Sequence, residues 1–423
     1  MKKNIKIAII NKSDSTGGAA VVSFRLMEAL RGAGADARMV VAEKLTDSPY
    51  VISVGSGISK KISFLAERFK IFVENGFNRS TLFKIDTASD GFDLLKIPFV
   101  RDADVVMLNW INQGLLSLEG VRRLSEAGKR IIWTMHDMWC FTGICHHSGE
   151  CRRYEGVCDD CPLLKGALDK GLARRVQRRK SEVYGEGRID FVAVSNWLAD
   201  RGERSSLFGG VRPTVIPNAF PFSGNPFQER NPERAGECVV LFGAARLDDT
   251  VKGLPILIRA TEILSRDYPD VASDLRLMTF GEAKDPSSLT GIAIAHTHLG
   301  RIKGAEVLKE VYRKGDIVVS TSLYETLPGT LVEGQVYGAV PVAFARGGQG
   351  DIIEHLTTGY LAWWDDDPDI AAARIADGIV WAYRATRDSS RRGVLLRRMY
   401  ESAYARFNEH TVATRYLELI DKG

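Results

Sequence analysis

The hydrophobic positions of this chain fall into short, nearly continuous runs that alternate with longer segments of mixed polarity. The runs are rich in Val, Ile and Leu, as is typical of strands buried on both faces of a sheet. The predicted strands are 5–10, 38–42, 105–108, 130–134, 191–195, 238–243, 275–280, 316–320 and 340–344. Helical patterns such as 19–30 lie between them. Because strands that alternate with helices form parallel sheets covered by helices, the pattern predicts an α/β fold.

The length of the chain favours two domains of similar size. A chain of 423 residues is longer than one hydrophobic core usually supports. The clearest break is a polar stretch with several prolines, which begins soon after Val215. We therefore predict a first domain at 1–217, a linker at 218–234 and a second domain at 235–398.

Composition and charge exclude several classes of protein. The net charge of +4 is small for this length, so no general attraction to nucleic acid is expected. The apolar run near the amino terminus is too short for a signal peptide, and no run approaches a membrane span. We expect a cytoplasmic protein with reduced thiols.

Two carboxylates mark the most informative stretch, which runs from Glu325 to Glu333. The predicted strand 316–320 precedes it, Pro328 suits the first turn of the helix that follows, and 340–344 is the next strand. Glu325 then lies in a loop at the carboxyl end of a strand, where open α/β sheets bind ligands, and Glu333 lies in the helix. Free N–H groups in the first turn suit an anion. The pattern favours a phosphate-bearing ligand with hydroxyl groups.

The residues around these glutamates carry a family resemblance. Ser-Leu-Tyr-Glu-Thr-Leu-Pro, Leu-Val-Glu, Gly-Ala-Val-Pro-Val-Ala-Phe, the pair Gly347-Gly348 and Asp-Ile-Ile-Glu-His follow in this order. Over roughly forty residues this resembles the donor region of retaining glycosyltransferases of family 4. The resemblance implies GT-B architecture, with two Rossmann-like domains facing each other across a cleft and a C-terminal helix at 399–423 that returns to the first domain.

The same resemblance implies an activity. A hexose-type sugar would pass from a UDP- or GDP-sugar to a hydroxyl of a glycan or lipid-linked acceptor, with retained configuration and no catalytic metal. Bacterial surface polysaccharide synthesis, at the inner face of the plasma membrane, is the implied setting. A different class of function stays open, namely a non-catalytic sugar-nucleotide-binding protein or a zinc-dependent interaction protein on the same fold. Turnover of a nucleotide sugar would separate the two.

A strand delivers two cations to the predicted donor site. Arg246 and Lys252 follow the strand 238–243 and precede a helix, which suits a pyrophosphate. A solvated loop is the alternative. The loop is similar to the family's Gly-Arg-Leu…Lys-Gly pattern, although Ala245 replaces its glycine. The resemblance implies that Arg246 and Lys252 stabilise the leaving diphosphate.

Further donor residues are implied by the resemblance alone. Glu333 would bind the ribose, and Glu325 the hydroxyls of the transferred sugar. Backbone groups of Leu327 and Thr330 would contact the phosphates or the sugar. The residues placed around the base are Gly281, which would leave room for it, and Arg301 and Ile302, which would flank it.

The first domain carries candidates for the acceptor side. Gly17 and Gly18 follow the first strand and allow close backbone approach to a ligand, although a tight turn without a ligand is equally consistent. The full dinucleotide fingerprint is absent. By resemblance this loop lies near the donor phosphate, and His136 of a Thr-x-His-Asp motif contacts the transferred sugar. Asn109 and Trp110 would line the acceptor pocket, although the family often carries His-Trp there.

Four cysteines are concentrated in the loop 140–162 that follows a His-Asp-Met-Trp motif. Cys145, Cys151, Cys158 and Cys161 form a set that favours tetrahedral, structural zinc in a reducing compartment. Only one Cys-x-x-Cys pair is present, and buried free thiols are the alternative. His146 or His147 could replace one thiol. Similar inserts occur in a subset of family 4, to which the chain would then belong.

Two segments of the first domain combine apolar and basic residues. Ile58, Ile62, Leu65, Phe69 and Phe72 recur at helical spacing among lysines and an arginine, and a second basic segment spans 165–180. Such helices can lie on an anionic membrane. A helix packed on the domain core gives the same pattern, and we favour that interpretation. Peripheral membrane contact would suit a lipid-linked acceptor. Few aromatic residues interleave the basic ones, so no nucleic-acid partner is expected.

Overall fold

The computed structural model describes residues 5–164, 171–222 and 237–422, which form two compact α/β units. The first unit comprises Met1–Ala219 and Glu409–Gly423, and the second comprises Phe220–Asn408. Of the predicted linker 218–234, the part from 223 onward lies outside the described residues.

The first unit is built on a parallel sheet with the order β3-β2-β1-β4-β5-β6-β7. Its strands are β1 (Lys6–Ser13), β2 (Asp36–Glu43), β3 (Val51–Ser53), β4 (Val105–Leu108), β5 (Arg130–Met135), β6 (Ile189–Ala193) and β7 (Thr214–Val215). Its helices before the second unit are α1 (Gly18–Gly32), α2 (Gly57–Glu74), α3 (Pro98–Arg101), α4 (Leu118–Glu126), α5 (Leu172–Glu186) and α6 (Asn196–Glu203).

The second unit repeats this design with the sheet order β10-β9-β8-β11-β12-β13, again parallel. Its strands are β8 (Cys238–Arg246), β9 (Leu275–Glu282), β10 (Ala295–His298), β11 (Ile317–Ser320), β12 (Val340–Phe344) and β13 (Tyr360–Ala362). Its helices are α7 (Leu254–Asp267), α8 (Pro269–Asp274), α9 (Ala305–Lys314), α10 (Gly329–Val336), α11 (Pro368–Arg387) and α12 (Ser389–Phe407).

Strand order reverses once in each sheet, and this places the ligand-binding edge. In the first sheet β1 lies between β2 and β4, and in the second β8 lies between β9 and β11. Loops on either side of such a reversal diverge and leave a crevice at the carboxyl ends of the strands. The candidate residues after β1 and β4, and after β8 and β11, all lie at such an edge.

The chain returns to the first unit later than predicted. A helix at 399–423 was expected to cross back as one element, but Met399 is buried in the core of the second unit as part of α12. Asn408, with an extended backbone, separates α12 from α13 (Glu409–Asp421). Val412, Tyr416 and other residues of α13 pack in the core of the first unit. The return therefore begins at residue 409, because the preceding helix buries its apolar face elsewhere.

The apolar stripe of α2 does not pack on the domain core, contrary to the interpretation favoured from the sequence. Ile58, Ile62, Leu65 and Phe69 are 60–74% exposed. Phe72 is half-buried. The buried residues of α2 are Glu67, Arg68 and Ile71, on the opposite side of the helix. Buried polar contacts of Glu67 and Arg68 hold the helix in place, so its apolar side is left outward. Among the described residues, no helix is long and apolar enough to cross a membrane.

Candidate active site

Strand β8 of the second unit ends at Arg246, at the carboxyl edge of the sheet. The strand is three residues longer than the predicted 238–243, so Arg246 lies on its last position and not in the following loop. The Arg246 side chain is 45% exposed, and its Nε donates to Oδ1 of Asp248 at 3.3 Å. The guanidinium is thus accessible to an anionic ligand at the reversal of strand order.

A tight turn places Lys252 beside Glu325. Asp249 accepts the N–H of Val251 and starts a 3₁₀ turn over Thr250–Lys252. Gly253 ends it with φ +66°, and a Cβ there would lie 2.2 Å from the Thr321 carbonyl oxygen. Nζ of Lys252 then lies 2.5 Å from Oε1 of Glu325, and both side chains are half-buried. The sequence placed both residues at the site but did not predict this ion pair.

The loop that carries Glu325 is fixed on both sides by backbone bonds. Leu323 donates its N–H to the Val251 carbonyl at 2.8 Å. On the other side, Gly348 donates its N–H to the carbonyl of Glu325 at 2.8 Å. A Cβ on Gly348 would lie 1.9 Å from the Thr326 carbonyl oxygen, so only glycine permits this approach. The Glu325 backbone is therefore held in place before any ligand binds.

Helix α10 begins at Gly329 and presents its amino terminus at the same edge. Pro328 is the N-cap and not a first-turn residue, as the sequence had suggested. No side chain caps this terminus through a hydrogen bond, so its first-turn amides suit an anion. Thr330 lies in the first turn, Leu327 is buried just before it, and Glu333 is half-buried one turn later. The backbone roles predicted for Leu327 and Thr330 are compatible with these positions.

Gly281 is required by the sheet itself. Strand β9 extends to Glu282, two residues beyond the predicted 275–280, so Gly281 lies within the strand. Its φ is +128°, and a Cβ would lie 1.8 Å from the carbonyl oxygen of Ala244 in β8. The direction that a side chain of residue 281 would take is therefore occupied by the neighbouring strand. The Gly281 N–H bonds to the Gly300 carbonyl at 2.8 Å, and exposed Arg301 follows directly, with Ile302 half-buried.

The glycine pair of the first unit opens helix α1. Gly17 is the N-cap with φ +90°, and Gly18 is the first helical residue. A Cβ on either would meet nothing within 4 Å, so the space before this terminus is open. No side chain bonds to the terminus, and its first turn contains no acidic residue. This geometry suits the approach of an anionic group.

His136 is held by Asn109 at the ends of adjacent strands β5 and β4. Nε2 of His136 lies 2.8 Å from Oδ1 of Asn109, and since an amide oxygen only accepts, Nε2 carries the proton. Burial lowers the pKa of His136 to about 4, which outweighs the opposite effect of Asp137. The ring is therefore neutral near pH 7. Asn109 itself is buried, so in this unit it orients His136 rather than lining an open pocket.

Asp137 is a site residue that sequence reasoning missed. Its Oδ2 accepts from Nε1 of Trp110 at 2.9 Å and lies 2.7 Å from Nδ1 of His146. Burial alone would raise the pKa of Asp137, but His146 lowers it to about 2. The carboxylate thus fixes the edge of Trp110, whose indole N–H is not available to an acceptor. Its place beside His136 in the Thr-x-His-Asp motif was the signal for it.

The four loop cysteines line one small cavity of about 20 Å³, together with Tyr154 and Ala173. All are free thiols, and burial raises the pKa of Cys145 to about 12. Within the described residues, no three His, Cys, Asp or Glu side chains are arranged to hold a metal ion. The thiols thus converge without forming a closed set of ligands, and the zinc site remains a prediction.

Lys180 supports the start of the cysteine loop and was also missed. It is fully buried, and its Nζ donates to the carbonyls of Thr142 and Gly143 at 3.0 and 3.1 Å. The sequence analysis placed it in the second basic segment, 165–180, of which 165–170 lies outside the described residues. Helical spacing from the buried Ala173 and Val176 would have assigned Lys180 to the inner face of α5.

Comparison with known families identifies the domain that carries Arg246, Lys252 and Glu325. A family model described as glycosyl transferases group 1 matches residues 238–378. The second unit carries a glycosyl transferases group 1 domain. A curated relative, the putative colanic acid biosynthesis glycosyl transferase WcaC of Escherichia coli, is 26% identical over 36% of this chain. The match spans 37% of that relative's length.

Solved structures resemble the whole chain at low sequence identity. HepE of Anabaena, solved in complex with UDP-glucose, is 16% identical with a TM-score of 0.60, covering 99% of this chain and 100% of that one. A glycosyltransferase of Rickettsia africae is 14% identical with a TM-score of 0.63, covering 99% and 98%. Sucrose-phosphate synthase of Thermosynechococcus elongatus is 16% identical with a TM-score of 0.61, covering 99% of each chain. The predicted fold class, two Rossmann-like α/β domains with glycosyltransferase neighbours of GT-B type, is confirmed.

Proposed function

We propose that this protein is a retaining, metal-independent hexosyltransferase. It moves a hexose from a UDP- or GDP-sugar to a hydroxyl of a glycan or lipid-linked acceptor in bacterial surface polysaccharide synthesis, at the cytoplasmic face of the membrane. The observation that carries the proposal is the close pair of Lys252 and Glu325 at the amino terminus of α10. A cation, a carboxylate and helix amides at one sheet edge match the phosphates and hydroxyls of a sugar diphosphate.

The leaving diphosphate is neutralised without a metal ion. Arg246 and Lys252 supply two positive charges at the ends of β8 and its following turn, and the α10 amides add partial positive charge. Donors held in place by the fold stabilise developing charge at little reorganisation cost. We expect the backbones of Thr330 and Leu327 to contact the phosphates or the sugar.

The two glutamates bind the hydroxyl groups of the donor. Glu333 accepts from the ribose, and Glu325 accepts from the transferred hexose. Lys252 already contacts Glu325. The donor either separates the two side chains or binds both of them, so that Lys252 contacts the phosphate and Glu325 contacts the sugar. Neither carboxylate needs to act as a nucleophile, in contrast to the paired carboxylates of glycosidases.

In the first unit, we expect His136 to bind the sugar, the glycine pair to bind an anionic group, and Trp110 to bind the acceptor. Neutral His136, oriented by Asn109, contacts the transferred sugar. The open space before Gly17 and Gly18 suits an anionic group of a ligand. Trp110, fixed by Asp137, presents its ring to the acceptor.

Retention follows if the departing phosphate assists the acceptor. The bond from the anomeric carbon to the phosphate oxygen breaks, and a bond from the same carbon to the acceptor oxygen forms on the same face. The acceptor hydroxyl proton passes to the leaving phosphate oxygen, so atoms and charge balance. The E. coli relative named for colanic acid biosynthesis supports a polysaccharide acceptor.

Turnover of nucleotide sugars tests this proposal. Purified protein is incubated with UDP-glucose, UDP-galactose and GDP-mannose, and release of UDP or GDP is measured with Glu325→Gln as the control. We expect slow hydrolysis of one donor class, reduced by roughly tenfold or more in the variant. Tight nucleotide binding with no turnover of any donor, with and without glycan acceptors, would instead support a non-catalytic sugar-nucleotide-binding protein.

A further inference from the structure

The outward face of α2 is apolar along its whole length. The relative exposures of Ile58, Ile62, Leu65 and Phe69 are 74, 62, 60 and 67%, and we call these four residues the α2 stripe. Phe77 and Phe83, which follow the helix, are each 63% exposed. Single exposed apolar residues are common, but contiguous ones on one helix face mark an interaction surface.

The inward face of the same helix is held by charged side chains. Arg68 pairs with Asp86 in the interior, and Oε2 of Glu67 accepts the N–H of Gly114 at 2.6 Å. A Cβ on Gly114 would lie 2.7 Å from the Ser63 carbonyl carbon, so α2 packs directly on that loop. A helix at a protein surface ordinarily buries its apolar side and exposes its polar side. In α2 charged side chains are buried and apolar side chains are exposed. This arrangement is favourable if the outward face of α2 contacts an apolar environment.

The charges around the α2 stripe are positive. Besides the buried Arg68, residues 57–84 include five basic residues, Lys60, Lys61, Lys70, Arg79 and Lys84, against two acidic ones. Of the acidic pair, Glu67 is buried and Glu74 forms an ion pair with Arg175. Lys61 and Lys70 are exposed on the stripe's flanks. An apolar face with basic flanks matches the acyl chains and the anionic headgroups of a bilayer.

The arginines of α5, unlike the lysines beside the α2 stripe, are paired with acidic residues. Arg174, Arg178 and Arg179 of α5 form ion pairs with Asp159, Glu182 and Glu119, as Arg175 does with Glu74. The positive charge of these four arginines is therefore largely matched within the first unit. A pocket of about 310 Å³ lies between α2 and α5. Arg175, Arg178 and Arg179 line it together with Glu74, Glu119 and Glu182, so the charges in the pocket are matched as well.

We propose that the α2 stripe docks the first unit on an anionic lipid surface. The helix lies in the membrane plane with Ile62, Leu65 and Phe69 below the headgroups, while Lys61 and Lys70 contact lipid phosphates. This surface rests on the membrane setting of the proposed function, but its test is separate from that of sugar transfer because it involves none of the donor residues. A protein partner or a second copy of this chain is the competing occupant.

Vesicle sedimentation without nucleotide sugar tests the docking surface. Wild-type protein should bind vesicles of phosphatidylglycerol mixed with phosphatidylcholine, and bind pure phosphatidylcholine weakly. The double substitution Ile62→Ser and Phe69→Ser should lower the partition coefficient by about tenfold for each side chain. Lys61→Glu with Lys70→Glu should lower it by at least about fivefold per residue. Binding should weaken in about 1 M salt, where screening acts within ~3 Å.

Matched controls separate this surface from general stickiness and from folding defects. Val211 is 71% exposed in the same unit, and Lys96 is exposed there as well, so Val211→Ser and Lys96→Glu should leave vesicle binding unchanged. Thermal unfolding of all variants should match wild type, because the changed side chains are exposed. Equal sedimentation of wild type and the Ile62→Ser, Phe69→Ser variant overturns the proposal. So does a lipid-independent dimer that this variant dissociates, since the stripe would then be covered by a second copy.

Discussion

Nζ of Lys252 and Oε1 of Glu325 lie 2.5 Å apart in the second unit, although the residues are 73 positions apart in the chain. The two side chains come from loops that follow adjacent strands, β8 and β11. Without a ligand each neutralises the other. A donor that brings both a phosphate and sugar hydroxyls can satisfy both groups at once.

Substituting Lys252 and substituting Glu325 should affect nucleotide binding differently. Lys252→Met removes a cation that would contact the phosphate, so UDP or GDP affinity should fall by roughly ten- to a hundredfold. Glu325→Gln releases Lys252, so nucleotide affinity should hold or rise while sugar transfer slows. Calorimetric titration and a transfer assay measure the two effects. Arg259 pairs with Asp369 elsewhere in the same unit, so Arg259→Ala is the control and should change neither.

Gly281→Ala should destabilise the second unit even without a ligand. The residue has φ +128° and no room for a Cβ beside Ala244, so strain and displacement of β8 should cost at least about 2 kcal/mol. Hydrogen–deuterium exchange should show faster exchange in β8 and β9. Gly350→Ala, where a Cβ meets open space, should leave exchange as in wild type. Normal protection in Gly281→Ala with loss of nucleotide binding would assign this glycine to the ligand instead.

His136 should make the first unit less stable in mild acid. Burial lowers its pKa to about 4 from a reference value of 6.5, so the unfolded chain binds more protons between these values. The stabilising contribution is present above pH 6.5 and is lost as pH falls through 4, by up to about 3 kcal/mol. When the free energy of unfolding is measured with denaturant from pH 7 to pH 4, it should fall less in His136→Gln than in the wild type. His410 is exposed, so His410→Gln serves as the control. If the free energy of unfolding falls with pH equally in His136→Gln and in the wild type, His136 does not have the lowered pKa.

Metal analysis of purified protein should find about one zinc ion per chain. Four thiols line one cavity, and zinc would deprotonate and draw them into tetrahedral geometry. Cys145→Ser should lose the zinc and lower the unfolding temperature of the first unit. Cys238→Ala, in the second unit, should keep it. A folded, active and metal-free wild-type protein would show that the cysteines are free thiols.

The strands and their ligand-binding edge could be predicted because buried parallel strands consist of nearly continuous runs of apolar residues. The placement of Glu325 in a loop and Glu333 in the next helix follows from that pattern. Short edge strands such as β3, β7 and β13 were missed, because two or three residues carry too little periodic signal. The boundary between α12 and α13 was also missed, since both helices continue the same apolar spacing across Asn408.

Long-range contacts account for most of the remaining differences. The pairing of Lys252 with Glu325 and the close approach of Gly281 to Ala244 depend on strand order, which periodicity does not encode. The α2 stripe was misassigned because an apolar face ordinarily marks the buried side of a helix. Only the partners of Glu67 and Arg68, in loops near 86 and 114, determine which face of α2 turns inward.

The central claim, a nucleotide-sugar donor site in the second unit, is tested most directly by calorimetric titration of UDP and GDP. Wild-type protein should bind one of them saturably at one site per chain. Arg246→Ala and Glu333→Ala should each weaken that binding by roughly ten- to a hundredfold, with Arg259→Ala unchanged. Absence of binding to either nucleotide, or equal affinity in wild type and both site variants, would contradict the account.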